Sequence, residues 1–435
     1  MTETQRLTWK EALLLAMVVA VAAGARAGYL ARCADSARNS GPLRVEMPPP
    51  ELDGLVAKLK NQRFVLPTGE DGADEDTAAL SPGYPVVMAG VNRLVDDAVL
   101  PSTMRWLQCG LGALTAGLYF LFARRAFDST PVAVLAGLLC ALHPFWIVDT
   151  AVLADGVLAS FLLAFALFLG ARAGQTMGPL ASLLYGLSLA ALALVRAALL
   201  PFAFVALAWF LWRSRSLPRG WLAALLAFLG FVNGLAPWTF RNWQLHGEPV
   251  PIVDSMYYHL WIGNRPAPVE GSNDNAPVRR PTRLERDREY SQRIRQEMSD
   301  HPAETVRRRL LAGLHFLFGE RWIQSGVLAE ATDLADAPDW LAGSYPVILE
   351  TTLLGMLGLG LLGWRWTYGW RARAMPSSLA MVWIPLPYVL SHATTLSGAR
   401  LPLDGVLLTY AAFALACLLP GSARLWKGEP SEPSA

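Results

Sequence analysis

Long uncharged stretches alternate along this chain with short basic connections, and a spanning helix needs roughly 20 mostly apolar residues to cross a bilayer. Runs of that kind lie near Glu11–Gly28, Met104–Ala123, Pro131–Ile147, Gly156–Ala173 and Pro179–Val195, and again near Ala197–Trp212, Gly220–Phe240, Ser344–Trp364, Ser377–Leu396 and Leu401–Pro420. The pattern predicts an all-α integral membrane protein with about ten transmembrane helices and two large extracytoplasmic loops. Arg26 shortens the first run, and Ala23-Gly24-Ala25 has the small-residue spacing of a signal-peptidase site. A retained helix is preferred there over a cleaved leader. The runs on either side of Val195–Ala197 read as two helices or as one bent segment.

The short connections set the orientation. Arg124 and Arg125, Arg172, Arg213, Arg215 and Arg219, and Arg365, Arg371 and Arg373 all fall on one side, together with Arg6, Lys10, Arg424 and Lys427. Cytoplasmic loops carry an excess of Lys and Arg, so both termini are expected inside. The chain then divides into an N-terminal helix (1–28), a first outer loop (29–103), a helical bundle (104–240), a second outer loop (241–343), C-terminal helices (344–420) and a cytoplasmic tail (421–435). A membrane crossed many times is the expected location.

In the first loop, Glu70 to Asp76 reads as a solvated, mobile acidic turn. Ser81-Pro82-Gly83-Tyr84-Pro85 reads as a rigid turn leading into the second helix. In the second loop, Thr282 and Glu285 have capping-box spacing ahead of a charged helix over about Arg283–Ser299. Asp300-His301-Pro302 ends that helix and opens another, since proline suits a first helical turn. Arg307, Arg308 and Arg309 followed by Leu310, Leu311, Leu314, Phe316 and Leu317 read as an interfacial helix, or equally as an amphipathic helix packed on the protein.

Composition agrees with the pattern and removes several chemistries. Of the 435 residues, 53% are hydrophobic and 17% charged, against about a quarter charged in soluble chains. The net charge of +2 gives no reason to expect a nucleic-acid partner. Cys109, Cys140 and Cys417 lie in apolar runs and Cys33 in a loop, without disulfide or metal-site spacing. Nucleotide-binding GxxxxGK[ST] and GxGxxG motifs and the zinc motif HExxH are all missing, and the six histidines are dispersed.

Ionisable residues nevertheless collect at one level of the predicted topology. Asp35, Asp149, Asp155, Arg196, Arg241, Arg400 and Asp404 all fall near the outer ends of spans. Charges at membrane depth are costly and tend to face a cavity or each other. Carboxylates beside arginines suit a hydroxyl next to a phosphate, and therefore transfer of a group from a phosphate ester to an alcohol.

Five segments resemble a known family. Pro237-Trp238-Thr239-Phe240-Arg241-Asn242-Trp243 with Gly247 and Pro251-Ile252 resembles the PWxxRNxxxxG signature of lipid-linked glycosyltransferases of the GT-C superfamily, in the protein O-mannosyltransferase and aminoarabinose-transferase branch. In matching order, Ser81-Pro82-Gly83-Tyr84-Pro85 resembles its PPGYP, and His143-Pro144 with Asp155 its HP…(D/E) turn. Leu260-Trp261-Ile262-Gly263-Asn264 resembles its LWxGN, and Arg400-Leu401-Pro402-Leu403-Asp404 its late RxRLPxxP element.

The resemblance implies a sugar donor on a polyprenyl phosphate, membrane lipid around it, and a protein, lipid or glycan acceptor outside. That the membrane is a bacterial inner (cytoplasmic) membrane is implied only by this resemblance. It implies inverting transfer with Asp35 as general base, although the family often has two adjacent acids there and Ser36 follows Asp35. Arg241 and Arg400 are expected on the donor phosphate, and Asp155, Asn242, Trp261, Asn264 and Tyr84 on the substrates. A divalent cation, Mg or Mn, is left open, with Asp35 and Asp155 as its candidate ligands. Two other readings stand beside this one: a transporter or flippase for lipid-linked sugars, and a non-catalytic scaffold of the same fold. Transporters show paired halves and midplane sites, and no internal repeat is visible.

Overall fold

The computed structural model describes residues 7–36, 65–67, 74–76, 81–174, 178–265, 283–318, 346–364, 368–391 and 397–419. Thr282 and the acidic residues before Asp74 lie outside them. The helices are α1 (Trp9–Ser36), α2 (Gly83–Asn92), α3 (Leu100–Phe127), α4 (Thr130–Leu142), α5 (Pro144–Asp149), α6 (Gly156–Gly170), α7 (Pro179–Val195), α8 (Leu200–Ser214) and α9 (Gly220–His246). They continue with α10 (Met256–Asn264), α11 (Arg283–Asp300), α12 (Pro302–Phe318), α13 (Pro346–Trp364), α14 (Tyr368–Trp383), α15 (Pro385–Ser391) and α16 (Ser397–Cys417). Six helices among the described residues are long and apolar enough to span a membrane, and four shorter apolar ones fall in the remaining expected runs.

Several elements differ from expectation. The first run was expected to stop near Gly28, yet α1 continues through Arg26 to Ser36. Arg26 is buried, and its guanidinium donates to the carbonyls of Ala22, Ala141 and Cys140 at 3.1, 3.0 and 3.4 Å. The third run breaks at His143, which is extended (φ −62°, ψ 118°), because the residue before a proline is pushed out of the helical region. The Pro-Gly-Tyr-Pro turn is instead the start of α2. Within the acidic patch, Asp74–Asp76 is a strand (β2) paired antiparallel with Val65–Pro67 (β1), Leu66 opposite Glu75. Val195–Ala197 separates two helices: Arg196 is extended between α7 and a short 3-10 turn over Ala197–Leu199.

The bundle is closed at one end by ion pairs. Thr8 and Glu11 form a capping box at the start of α1, with the reciprocal hydrogen bonds that satisfy a helix N-terminus. Glu11 also meets Arg124 at 2.6 Å and accepts from Thr130 at 2.7 Å, while Arg124 meets Asp128 at 2.6 Å. Arg125 lies over the Phe168 ring at 4.1 Å. This is the end where the sequence places the basic connections. In α12, Arg308 and Arg309 turn inward onto α10 and α15, while Val306, Leu310 and Leu314 are exposed.

The centre of the bundle is α16, which packs on α4, α6 and α13. Close approach of helices depends on small residues, as it does generally in membranes. A Cβ on Gly186 of α7 would stand 1.9 Å from the Ala227 carbonyl oxygen of α9. Gly186→Ala is therefore expected to destabilise by about 1–3 kcal/mol through overpacking. Gly110→Ala, where a Cβ meets open space, should be neutral or slightly stabilising because alanine is the better helix former. Thermal unfolding in detergent, followed by tryptophan fluorescence, separates the two; equal melting temperatures would contradict the packing argument.

Candidate functional site

At the opposite end of the bundle, the turn between α5 and α6 is held by side chains of α3 and by Arg196. Gln108 on α3 donates from its amide to the carbonyls of Thr150 and Val152 at 2.9 and 2.8 Å. One helical turn earlier, Arg105 donates to Ala151 at 2.9 Å. Three consecutive carbonyls are thus pinned, which fixes the two acids that flank them, Asp149 and Asp155. Tyr84 on α2 donates to the Gln108 carbonyl oxygen at 2.8 Å. Burial, with Asp149 and Asp155 nearby, pushes the Tyr84 pKa up, so the hydroxyl stays a neutral donor.

Asp155 is clasped by Arg196. Nε donates to Oδ2 at 2.8 Å and Nη2 to Oδ1 at 2.5 Å, the two-pronged geometry in which a guanidinium matches a carboxylate. Nη1 of Arg196 also donates to the Ala399 carbonyl at 3.3 Å. The next residue, Ala197, donates its backbone N–H to Ser81 Oγ at 3.0 Å. A Cβ on Gly83 would lie 2.6 Å from Val195, so only glycine lets α2 settle on this turn. The Ser81–Pro85 segment therefore docks the end of the first loop against α3 and the α7–α8 junction. Asp149 lies across the turn, its Oδ2 2.5 Å from where a Cβ of Gly156 would be.

The PWxxRN segment closes α9 as a clamp. Trp238 Nε1 donates to the Ile252 carbonyl at 2.8 Å, Thr239 to Pro251 at 3.0 Å, and Asn242 to Val250 and Ile252 at 3.1 and 3.0 Å. The chain can fold back this sharply because Gly247 adopts φ +68° and donates to the Trp243 carbonyl, a left-handed helix ending that favours glycine. Arg241 is half-buried, stands over the Trp238 ring at 4.7 Å and donates to Asn242 Oδ1 at 3.0 Å.

The LWxGN segment is α10, and it is fastened to α12 and α15. Asn264 donates to Leu260 and Leu390 at 2.7 and 3.3 Å. Arg308 donates to the Asn264 carbonyl, and Arg309 to the carbonyls of Gly263, Val389 and Leu390. Trp261 is half-buried, with Arg293 5.9 Å from its ring centre.

Arg400 and Asp404 pair at 2.6 Å one turn apart on α16, with side chains 3% and 2% exposed. Arg400 also donates to the Leu317 carbonyl, and Trp146 donates to Leu401 at 3.1 Å.

The expected site residues fall into three groups. Tyr84, Asp155 and Arg196 gather at the α5–α6 turn, Arg241 and Asn242 at the end of α9, and Trp261 and Asn264 on α10. Arg400 is enclosed inside the bundle. Asp35 lies on the last turn of α1, and its side chain is outside the described residues. Asn242 and Asn264 have both amide hydrogens engaged by backbone carbonyls, Asn242 beside Arg241 and Asn264 at the end of α10. Arg105 and Gln108 were not legible as site residues, since neither sits in a motif. For the divalent cation, both oxygens of Asp155 face Arg196, the Asp35 side chain lies outside the described residues, and those residues contain no group of three His, Cys, Asp or Glu side chains able to hold a metal.

The chain matches no protein-family model and no curated protein. Among solved structures it is similar to the crystal structure of the Archaeoglobus fulgidus oligosaccharyltransferase in the apo form, at 11% identity and a TM-score of 0.54. The likeness covers 100% of this chain and 54% of that one, so this chain spans about half the length of the protein it matches. The likeness is one of architecture alone: the chain shares a helical fold with that protein.

Proposed function

We propose that this protein is a membrane glycosyltransferase that moves a sugar from a polyprenyl-phosphate donor to an acceptor hydroxyl, on the extracytoplasmic face of a bacterial inner membrane. The observation that carries the reading is the pairing of Asp155 with Arg196 and the alignment of Arg241 by Trp238 and Asn242, each at a helix end, on a fold shared with an oligosaccharyltransferase. In this reading Asp35 takes the proton from the acceptor hydroxyl as its oxygen attacks the anomeric carbon. The bond from that carbon to the phosphate oxygen breaks, and its electrons pass to the leaving polyprenyl phosphate. Configuration inverts because attack comes from the opposite face.

Arg241 is the arginine best placed for the leaving phosphate, being half-buried and aligned by Trp238 and Asn242. Charge-assisted hydrogen bonds in a partly dry site are strong, and they matter most where charge grows in the transition state. Arg400 acts from inside as a fixed charge. Asp155, held by Arg196, frames the acceptor side with Tyr84 behind it, and Trp261 offers a flat face to a sugar ring.

The test is transfer of label by purified protein in detergent from a panel of radiolabelled polyprenyl-phosphate sugars. Wild type should release label from one donor, and Arg241→Ala should lower kcat/KM by about 10- to 100-fold, the worth of one hydrogen bond to a charged group. Donor binding without any turnover would sink the proposal. It would favour the scaffold reading, which has its own support: Tyr84, Asn242, Asn264 and Arg400 all bond to the chain's own groups.

A further inference from the structure

We infer that Arg196 provides the positive charge that Asp155 requires, in the place a divalent cation would take, so that this carboxylate works without a metal; its meaning for catalysis rests on the transferase reading. Mg²⁺ and Mn²⁺ are hard cations that bind carboxylate oxygens directly and need several further oxygen donors in a near-octahedral set. At Asp155 both oxygens already face guanidinium nitrogens, at 2.8 and 2.5 Å. A metal ion would compete with Arg196 for the lone pairs that its two-pronged contact occupies.

The backbone around Arg196 is built to hold it there. Its extended conformation, between α7 and the 3-10 turn, is fixed on one side by Ser81 Oγ, which accepts from Ala197, and on the other by the Ala399 carbonyl, which accepts from Nη1. Gly83 packs against Val195 at a distance no side chain would permit. Asp155 is meanwhile held by a turn whose carbonyls are pinned by Arg105 and Gln108. Both halves of the pair are therefore set before any ligand arrives, and a guanidinium keeps its charge across the physiological pH range. A fixed cation of this kind can stabilise nearby anionic oxygens with little reorganisation.

The experiment is a Mn²⁺ titration of full-length, chelator-treated protein in detergent. Free Mn²⁺ is read by electron paramagnetic resonance, and thermal unfolding is followed in parallel. Wild type and Asp155→Asn should leave the same free Mn²⁺ signal, and neither Mn²⁺ nor EDTA should move the wild-type melting temperature. In Arg196→Met, where Asp155 is released, Mn²⁺ should raise the melting temperature, and Arg196→Lys should respond less. A merely structural arginine predicts no such gain of metal response. Sequestration of one Mn²⁺ per chain by wild type, lost in Asp155→Asn, would overturn the inference, and so would an Arg196→Met variant that folds yet ignores Mn²⁺. These readouts do not use sugar transfer, so a protein that binds no metal and transfers no sugar defeats the transferase reading alone. One that binds Mn²⁺ at Asp155 and transfers sugar defeats this inference alone.

Discussion

Asp35→Asn is expected to lower sugar transfer by a factor on the order of 10²–10⁴ while leaving donor binding intact, the range associated with losing a general base. The substitution keeps size and shape and removes only the ability to accept a proton, so a fall confined to kcat identifies the step. A 28-residue helix is about 42 Å long at 1.5 Å per residue, longer than the roughly 30 Å hydrocarbon core. Glu11 anchors the other end of that helix in the ion-pair cluster with Arg124, so its last turn, with Asp35, reaches past the apolar layer to the end where the loops meet. Single-turnover transfer from the donor found active for wild type, with binding measured separately, reads the effect. Full activity in Asp35→Asn would move the base elsewhere, and Asp149, beside the same turn as Asp155, would be the next residue to replace.

Asp404→Ala should destabilise the bundle by about 3–5 kcal/mol, the general consequence of leaving one member of a buried ion pair without its partner. Both side chains are enclosed, and among the described residues Nη2 of Arg400 has no hydrogen-bond partner of its own, so the carboxylate is the main compensation for that charge. Arg400→Met combined with Asp404→Leu should recover most of the loss, because apolar residues of similar volume often replace a buried pair at little cost. Thermal or denaturant unfolding in detergent compares the three proteins, and a single variant as stable as wild type would contradict the argument. The double variant also separates two roles of Arg400. If it is stable but transfers slowly, the arginine contributes field or contact to the donor phosphate; if it is stable and active, the pair serves packing alone.

Much of the architecture was legible because its cause is local. The apolar runs and the break at Asp300-His301-Pro302, from which α12 starts, follow from hydrophobic spacing and proline chemistry, which neighbouring residues alone decide. The basic connections could be read the same way, and the ion pairs of Glu11, Arg124 and Asp128 sit at the end they mark. The boundaries were harder. Arg26 looked like a stop because a lone charge in an apolar run is costly, and it proved tolerable only because carbonyls from Ala141 and Cys140, far along the chain, accept its protons.

The candidate site divides in the same manner. The residue types were visible in the sequence: acids and arginines near helix ends, and the PWxxRN and LWxGN segments. Their work was not, because hydrogen-bond partners are chosen by packing. Asn242 and Asn264 have hydrogens that backbone carbonyls claim once the chain folds back on itself. Gln108 and Arg105 look like ordinary polar residues of an apolar helix until α3 lies beside the α5–α6 turn. The sequence by itself determined that this is a helical membrane protein with polar groups gathered at the helix ends on one side, since hydrophobic spacing and charge bias are properties of neighbouring residues. Only the tertiary structure decided that Asp155 belongs to Arg196, that Arg400 is enclosed and that Arg241 is the more accessible arginine, because the Asp155–Arg196 and Arg400–Leu317 contacts join residues 41 and 83 positions apart and burial exists only when the helices pack.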